Sequence, residues 1–198
     1  MAEDTETLIP ELENYFNEFV VLRNTVRDFT GKLAEAQFYW KPGPDQWSVA
    51  ECISHLNELG YKLLPKLRDA IESGRKTGKT GSPPFRYGLI SRWFIKANDA
   101  SSNFKINTPE IYRPDSNEVL KKSQVVSDFL ELQDALCDLV SRADGLDLKR
   151  IKIGSPANGL IRLSLGAWFA TIMVHEKRHL AQARRVAETP GFSAGQSA

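Results

Sequence analysis

The chain has 198 residues, of which 41% are hydrophobic and 26% charged, a composition typical of a globular protein with a buried core. Its 26 basic and 25 acidic residues nearly cancel to a formal charge of +1, which argues against nucleic acid and membrane surfaces as partners. Two cysteines are too few for a secreted disulfide framework, and no signal peptide or membrane-spanning apolar run is visible, so a cytoplasmic location is expected.

Two segments in the first half of the chain carry apolar residues at helical spacing. The first covers about residues 7–30, with apolar side chains that alternate in steps of four and three. The second covers about 48–73 and begins with a capping box, in which Ser48 and Glu51 satisfy each other's backbone N–H groups. Pro65 lies inside this second helix and is expected to bend or interrupt it.

Two further long helices are predicted in the second half of the chain. The third covers about 115–143, with Asp115 or Ser116 as its N-cap, and the fourth covers about 163–189. The segment between the second and third helices is rich in aromatic residues, and a short helix is expected there, near 88–100, over the end of the bundle.

These patterns predict a single all-α domain over residues 1–190, followed by a small, polar and flexible tail at 191–198. The link between the second and third long helices is much longer than the other links. Short links favour antiparallel neighbours, whereas a long link allows a crossover between parallel helices. We therefore expect a four-helix bundle with a long crossover between helices 2 and 3.

All three histidines of the chain fall on inward or nearly inward helical positions. His175 and His179 are four residues apart, so both point from one face of the fourth helix. His55 lies on the second helix, and if the two helices are neighbours one divalent metal can bind all three imidazoles. Three protein ligands leave positions for water or substrate, and Zn, Ni, Fe and Mn all accept imidazole.

Two other interpretations of this cluster compete with an open metal site. The histidines could be core residues satisfied by hydrogen bonds, although a pair one turn apart weakens that view. His175 to His179 also spell the HExxH motif of metalloproteases, with Glu176 as the general base. That motif needs a third ligand downstream, where Glu188 is the one carboxylate, so the protease is the less favoured hypothesis.

Four residues near the histidines are candidates for the surroundings of a bound cofactor. Trp47, with Trp40, flanks a Pro-Gly turn and could line a pocket, or could pack under a loop as part of a hydrophobic staple. Cys52 lies one turn before the histidine of the second helix and could be a ligand or a small core residue. Glu58 and Gln182 lie about one turn after proposed ligands and could orient an imidazole, although exposure to solvent is the default expectation for Glu58.

Two stretches together resemble the DinB-like superfamily, which includes the bacillithiol and mycothiol S-transferases. The first is Trp-Lys-Pro-Gly-Pro-Asp-Gln-Trp-Ser-Val-Ala-Glu at 40–51, followed by His55-Leu56. The second is Leu-Ser-Leu-Gly at 163–166, followed by His-Glu-Lys-Arg-His-Leu-Ala-Gln-Ala at 175–183. With the links at 83–88 and 112–114, the similarity extends over about residues 39–186.

The resemblance implies a four-helix bundle in which helices 2 and 3 run parallel, with a divalent metal bound by His55, His175 and His179. Some members of the family are thiol-dependent transferases and others are called metal-dependent hydrolases. Both chemistries use a metal with open positions that lowers the pKa of a bound thiol or water. The family name refers to damage-inducible expression and does not imply action on DNA.

Two functional hypotheses follow from the sequence. The first is a metal-dependent enzyme that acts on a small molecule, by S-transfer with a low-molecular-weight thiol or by hydrolysis, with no catalytic side chain assigned. The second is a non-catalytic metal-binding or partner-binding stress-response bundle, motivated by the absence of an evident general base beside the ligands. An exposed apolar strip on the first helix or on the link at 83–104 would also allow a homodimer.

Overall fold

Six α-helices and one antiparallel hairpin make up the part of the chain that this computed structural model describes, residues 8–102, 109–112 and 121–192, without the side chain of Glu110. In chain order these elements are α1 (Pro10–Gly31), α2 (Glu35–Tyr39), α3 (Val49–Lys76), α4 (Leu89–Asn98), α5 (Lys122–Arg142), β1 (Lys152–Gly154), β2 (Arg162–Ser164) and α6 (Leu165–Glu188). A short 3-10 turn, Glu110–Tyr112, lies between α4 and α5.

The four long helices, α1, α3, α5 and α6, enclose the core. Each presents an apolar stripe to its neighbours, because its large side chains recur every three or four residues. The largest of the fully buried side chains come from all four helices and include Phe19, Leu63, Leu67, Phe129, Leu136 and Phe169. The predicted all-α fold is confirmed, with a two-stranded hairpin as its only sheet in the described residues.

The contacts between α3 and α5 show that these two helices run parallel. Near their beginnings, the side-chain amide of Asn57 donates to the carbonyl of Val125 at 3.0 Å. Near their ends, Arg75 Nε donates to the carbonyl of Arg142 at 2.9 Å. The connection between α3 and α5 is therefore a crossover along the length of the bundle, and it carries α4.

The beginning of α3 is the predicted capping box. The Ser48 hydroxyl accepts from the Glu51 N–H at 3.1 Å, and the Ser48 N–H donates to the Glu51 carboxylate at 2.8 Å. The helix then continues without a break past Pro65, so the expected interruption is wrong. Pro65 and Tyr61 are both on the exposed side of α3, where water can satisfy the Tyr61 carbonyl that lacks its helical partner.

Two small elements were not predicted. Helix α2 has only five residues, and it begins where the Ala34 N–H donates to the Gln37 side chain at 2.9 Å. The β1–β2 hairpin pairs Ile153 with Leu163 and leads directly into α6. Because the Trp168 indole donates to the carbonyl of Ile153 at 3.0 Å, the hairpin is fixed to the first turn of α6.

The boundaries of the remaining elements agree with the sequence in most places. Helix α4 lies within the predicted 88–100 segment, and α6 within the predicted 163–189 segment. Helix α5 begins at Lys122, and the predicted N-cap residues, Asp115 and Ser116, lie outside the described residues. Within the described chain, no helix has both the length and the apolar character that crossing a membrane requires.

The predicted flexible tail at 191–198 is partly packed. Phe192 is buried, and its ring lies edge-on against Trp40 with 5.7 Å between ring centroids. Residues 193–198 lie outside the described part of the chain. The packed domain therefore extends to Phe192, because this aromatic side chain has an apolar neighbour to bury against.

Candidate metal centre

The structure brings the three histidines together on two neighbouring helices, α3 and α6. His55 lies in the second turn of α3, and His175 and His179 lie on successive turns of α6. The distances between ring centroids are 4.5 Å for His175–His179, 4.6 Å for His55–His179 and 5.2 Å for His55–His175. One nitrogen from each ring lies within 4.8 Å of the others, so the three rings can surround one ion.

The environment of the cluster keeps the imidazoles neutral. Burial lowers the pKa of His55, although its hydrogen bond to a backbone carbonyl acts in the opposite direction. Burial, together with the charges of His179 and His55, lowers the pKa of His175 well below its usual value. For His179, burial and the charge of His55 lower the pKa to about 3. Neutral imidazole is the form that binds a metal.

Two hydrogen bonds orient the rings of His55 and His175. His55 Nδ1 donates to the backbone carbonyl of Tyr112 at 2.7 Å. His175 Nδ1 donates to the side-chain oxygen of Asn98 at 3.1 Å. The amide of Asn98 is itself fixed, since its nitrogen donates to the carbonyl of Phe94 at 2.9 Å. Both rings therefore carry their hydrogen on the outer nitrogen, Nδ1.

The inner nitrogens of the same rings face each other. His55 Nε2 and His175 Nε2 are 3.0 Å apart, and in neutral rings with hydrogens on Nδ1 both present lone pairs. Two lone pairs at this distance repel unless a cation lies beside both. The buried Nδ1 of His179 also has no hydrogen-bond partner among the described residues. A donor set of this kind fits a divalent transition metal.

A cavity of about 1150 Å³ opens over the cluster. It lies between α3, α4, α6 and the hairpin, and the three histidines are part of its wall. Trp47 lines it as well, with its ring stacked on His179 at 5.6 Å and close to His55 at 5.1 Å. Its ring thus shields one side of the imidazoles, while the cavity leaves the other side accessible to a small molecule.

The other residues predicted around the cofactor divide into two groups. Trp47 and Gln182 line the cavity beside the histidines. Cys52 is fully buried in the core outside the cluster, and burial raises the pKa of its thiol to about 12. Glu58 is on the outer side of α3, where it pairs with Lys62. The structure thus places Cys52 in the core and Glu58 at the surface, which are the alternatives that the sequence also allowed, and brings neither side chain into the cluster.

Glu176 does not lie where the general base of a metalloprotease must lie, at the cavity beside the metal. Its side chain is 2% exposed and accepts a hydrogen bond from Gln133 of α5 at 3.0 Å. Burial raises its pKa to about 8. The carboxylate lies in the leucine-rich interior of the bundle and is not part of the cavity wall. The sequence therefore contains the HExxH motif, but Glu176 is not positioned to act as its general base.

Two partners of the histidines could not be found from the sequence. Asn98 is the last residue of α4, and Tyr112 acts through its backbone carbonyl in the 3-10 turn. Both belong to the long crossover rather than to the helices that carry the histidines. A residue that acts through its backbone leaves no signature in its own side chain, and a lone Asn in a link resembles any turn residue.

The fold and the site together define the class of the protein, a helical bundle with a parallel crossover and a three-histidine cluster that faces an open cavity. The model of the DinB superfamily matches residues 18–183, and the chain belongs to that superfamily. Comparison with curated proteins gave no match, and comparison with solved structures gave none either.

Proposed function

We propose that this protein is a metal-dependent enzyme in which His55, His175 and His179 hold one divalent transition metal, and that it acts on a small molecule by thiol-dependent S-transfer. The observation that carries the proposal is the pair of inner nitrogens 3.0 Å apart at the floor of a cavity of about 1150 Å³. A closed storage site would instead surround its ion with protein ligands.

A bound metal would supply Lewis acidity that lowers the pKa of a thiol or of water. The chain supplies the rest of the site. The Tyr112 carbonyl and Asn98 hold two imidazoles with their lone pairs inward. The ring of Trp47 covers His179 and limits the access of water from that side.

The surroundings favour a thiol over water as the activated group. Hydrolysis usually needs a general base beside the attacking water. Among the described residues that line the cavity, Asp45 is the one carboxylate, and it is not part of the cluster of candidate ligand atoms. A thiol ionises more easily than water and needs no such base once it is beside a cation. Hydrolysis is the second candidate within the same proposal.

Elemental analysis of the purified protein tests the metal site. We expect about one equivalent of a transition metal in the wild type and its loss in the His175→Ala/His179→Ala double variant, with the helical signal retained. An Arg184→Ala/Glu188→Ala double variant, at exposed positions of the same helix, is the matched control and should keep its metal. A wild type that binds none of Zn, Ni, Fe or Mn after reconstitution would contradict the proposal.

The reaction is tested with the metal-loaded protein, a small thiol and an electrophile. With dithiothreitol and 1-chloro-2,4-dinitrobenzene, a carbon–sulfur bond forms, chloride leaves, and the proton of the thiol goes to the buffer. We expect faster thioether formation than with the double variant at the same thiol concentration. If the loaded protein accelerates ester hydrolysis and no thiol transfer, the hydrolase hypothesis replaces the transferase.

A further inference from the structure

The charged residues of the cavity wall are mostly positive. Besides the histidines, the charged side chains among the described lining residues are Asp45, Arg178 and Arg185. Arg178 donates to the carbonyl of Ala97 at 3.0 Å and so helps to fix the end of α4. Asp45 and Arg185 are both exposed, so solvent screens both charges. Neither metal binding nor the position of α4 accounts for Arg185.

The guanidinium of Arg185 is available to a ligand. No hydrogen bond or ion pair to another described residue engages it, in contrast to Arg178 or to Arg142, which pairs with Glu72. It lies six residues after His179 on α6, about 9 Å farther along the helix axis and about 120° around it, which places it on the side of the helix that also carries Arg178. From His175 onwards, the residues of α6 and its C-cap that line the cavity are His175, Arg178, His179, Gln182, Arg185, Val186 and Thr189.

Much of the cavity wall is aromatic. Trp47 lies over His179, and on the α4 side the rings of Phe94 and Trp168 are in edge contact at 6.1 Å. The indole nitrogen of Trp168 already donates to Ile153, so the ring offers the cavity an apolar surface. Walls of this kind bind planar apolar groups well.

We infer that the molecule presented to the metal is an amphipathic organic anion, with a planar apolar body against the aromatic wall and an anionic group bound by Arg185. A carboxylate, sulfonate or phosphate would fit, because each accepts two hydrogen bonds from a guanidinium. The inference rests on the proposed function in taking this cavity as the substrate site, and it adds the chemical class of the substrate.

A pair of fluorescent probes tests the inference. The first, 8-anilinonaphthalene-1-sulfonate, carries an aromatic body and one negative charge, and N-phenyl-1-naphthylamine has the same rings without the sulfonate. Each is titrated into the wild type, Arg185→Gln and Arg184→Gln. Arg184 is the matched control, since it is an exposed arginine of the same turn that does not line the cavity.

For the wild type, we expect the sulfonate to bind about fivefold more tightly than the neutral probe, the size of effect typical of one partly exposed ionic contact. Arg185→Gln should abolish this preference and leave the affinity for the neutral probe unchanged, whereas Arg184→Gln should keep it. High salt should weaken the preference in the wild type. No preference in the wild type, or equal losses in both variants, would overturn the inference.

The inference and the metal proposal can fail separately. The metal content of Arg185→Gln should equal that of the wild type, because Arg185 is not among the candidate ligands. A protein without metal that still distinguishes the two probes through Arg185 would retain the anion site and contradict the metalloenzyme. A protein with full metal content and no preference between the probes would retain the metal site and contradict the anion site.

Discussion

Two of the three imidazoles of the candidate centre, those of His55 and His175, are oriented by groups that no helix of the four-helix bundle provides. Asn98 and the Tyr112 carbonyl both lie in the crossover and accept from the outer nitrogens of His175 and His55. Groups in this position set which nitrogen keeps its lone pair, and they raise the basicity of the ligand. The affinity of the metal should therefore depend on residues that never touch it.

Replacing Asn98 tests this dependence. In Asn98→Ala, the His175 ring loses its acceptor, and we expect metal affinity to fall about 10- to 100-fold with the helical signal unchanged. Asn98→Asp keeps an acceptor for His175 but loses the donor to the Phe94 carbonyl, so its affinity should lie above that of Asn98→Ala. Competition with a chromogenic chelator measures the affinity.

Asn158→Ala is the control for this experiment, because Asn158 lines the same cavity at an exposed position of the hairpin turn. It should leave the affinity unchanged. Wild-type affinity in Asn98→Ala would show that His175 is held by its helix alone.

At the residue scale, the sequence identified the ligand candidates but did not decide which of their neighbours contact them. His175 and His179 stand out because imidazoles one turn apart replace apolar residues on an inward face. Glu58 lies three residues after His55, about 60° from it around the helix, and the structure places it at the surface beside Lys62, the default expectation for this residue. Asn98 was missed because its contact with His175 spans 77 positions of sequence.

At the scale of elements, the capping box fixes where α3 begins. Ser48→Ala removes the hydroxyl that accepts from Glu51, and we expect a loss of about 1 kcal/mol in the free energy of unfolding. Denaturant unfolding at neutral pH measures it. Ser54→Ala, a substitution inside the same helix, is the control and should change stability by less than about 0.5 kcal/mol.

The carboxyl of Glu51 gives the same element a pH dependence. Burial raises its pKa, but hydrogen bonds from Lys41 and the Ser48 N–H outweigh this effect, so its pKa lies below the ordinary 4.5. Its stabilisation is therefore complete above pH 4.5 and is lost as the pH falls through the folded-state pKa. The stability difference between the wild type and Glu51→Gln should shrink on acidification, and a difference that grows would contradict this assignment.

Close packing also joins the crossover to the bundle at Gly166. The Tyr87 hydroxyl donates to Glu11 of α1 and lies against Gly166, where a methyl group would overlap it. Gly166→Ala should cost about 1–3 kcal/mol in thermal or denaturant unfolding, as over-packing does. Gly31→Ala, at the end of α1 with no atom within 4 Å of the added carbon, should be neutral or slightly stabilising.

Elements were predictable where a periodic pattern was long. The four long helices each repeat their apolar spacing over several turns, and Ser48 with Glu51 marks a helix start by chemistry. Helix α2 has five residues and an alanine at its N-cap, and each strand of the hairpin has three residues. Segments this short cannot establish a period, and their structure depends on what they pack against.

At the scale of the whole molecule, the core does not depend on the metal. Buried apolar side chains from all four long helices form one cluster, and the histidines lie at its edge beside the cavity. Removing the metal with a chelator should keep the helical signal and lower the melting temperature. At a metal concentration about 100 times Kd, the lost stabilisation would be about 2.7 kcal/mol.

The double variant His175→Ala/His179→Ala provides the comparison for chelation. Its melting temperature should not respond to the chelator, because no site remains to be emptied. Unfolding of the wild type on chelation would instead show that the metal is structural, as it is in small zinc domains.

The position of Asn98 and Tyr112 on the crossover has a consequence for the order of folding. The contacts that complete the centre join residues 57, 77 and 120 positions apart, whereas each helix forms from neighbours. Closing such long loops is slow, and contacts of this kind come after local structure. We expect the centre to be completed after the individual helices have formed, so the folding chain should gain its full affinity for metal in a kinetic phase that follows the recovery of helical signal.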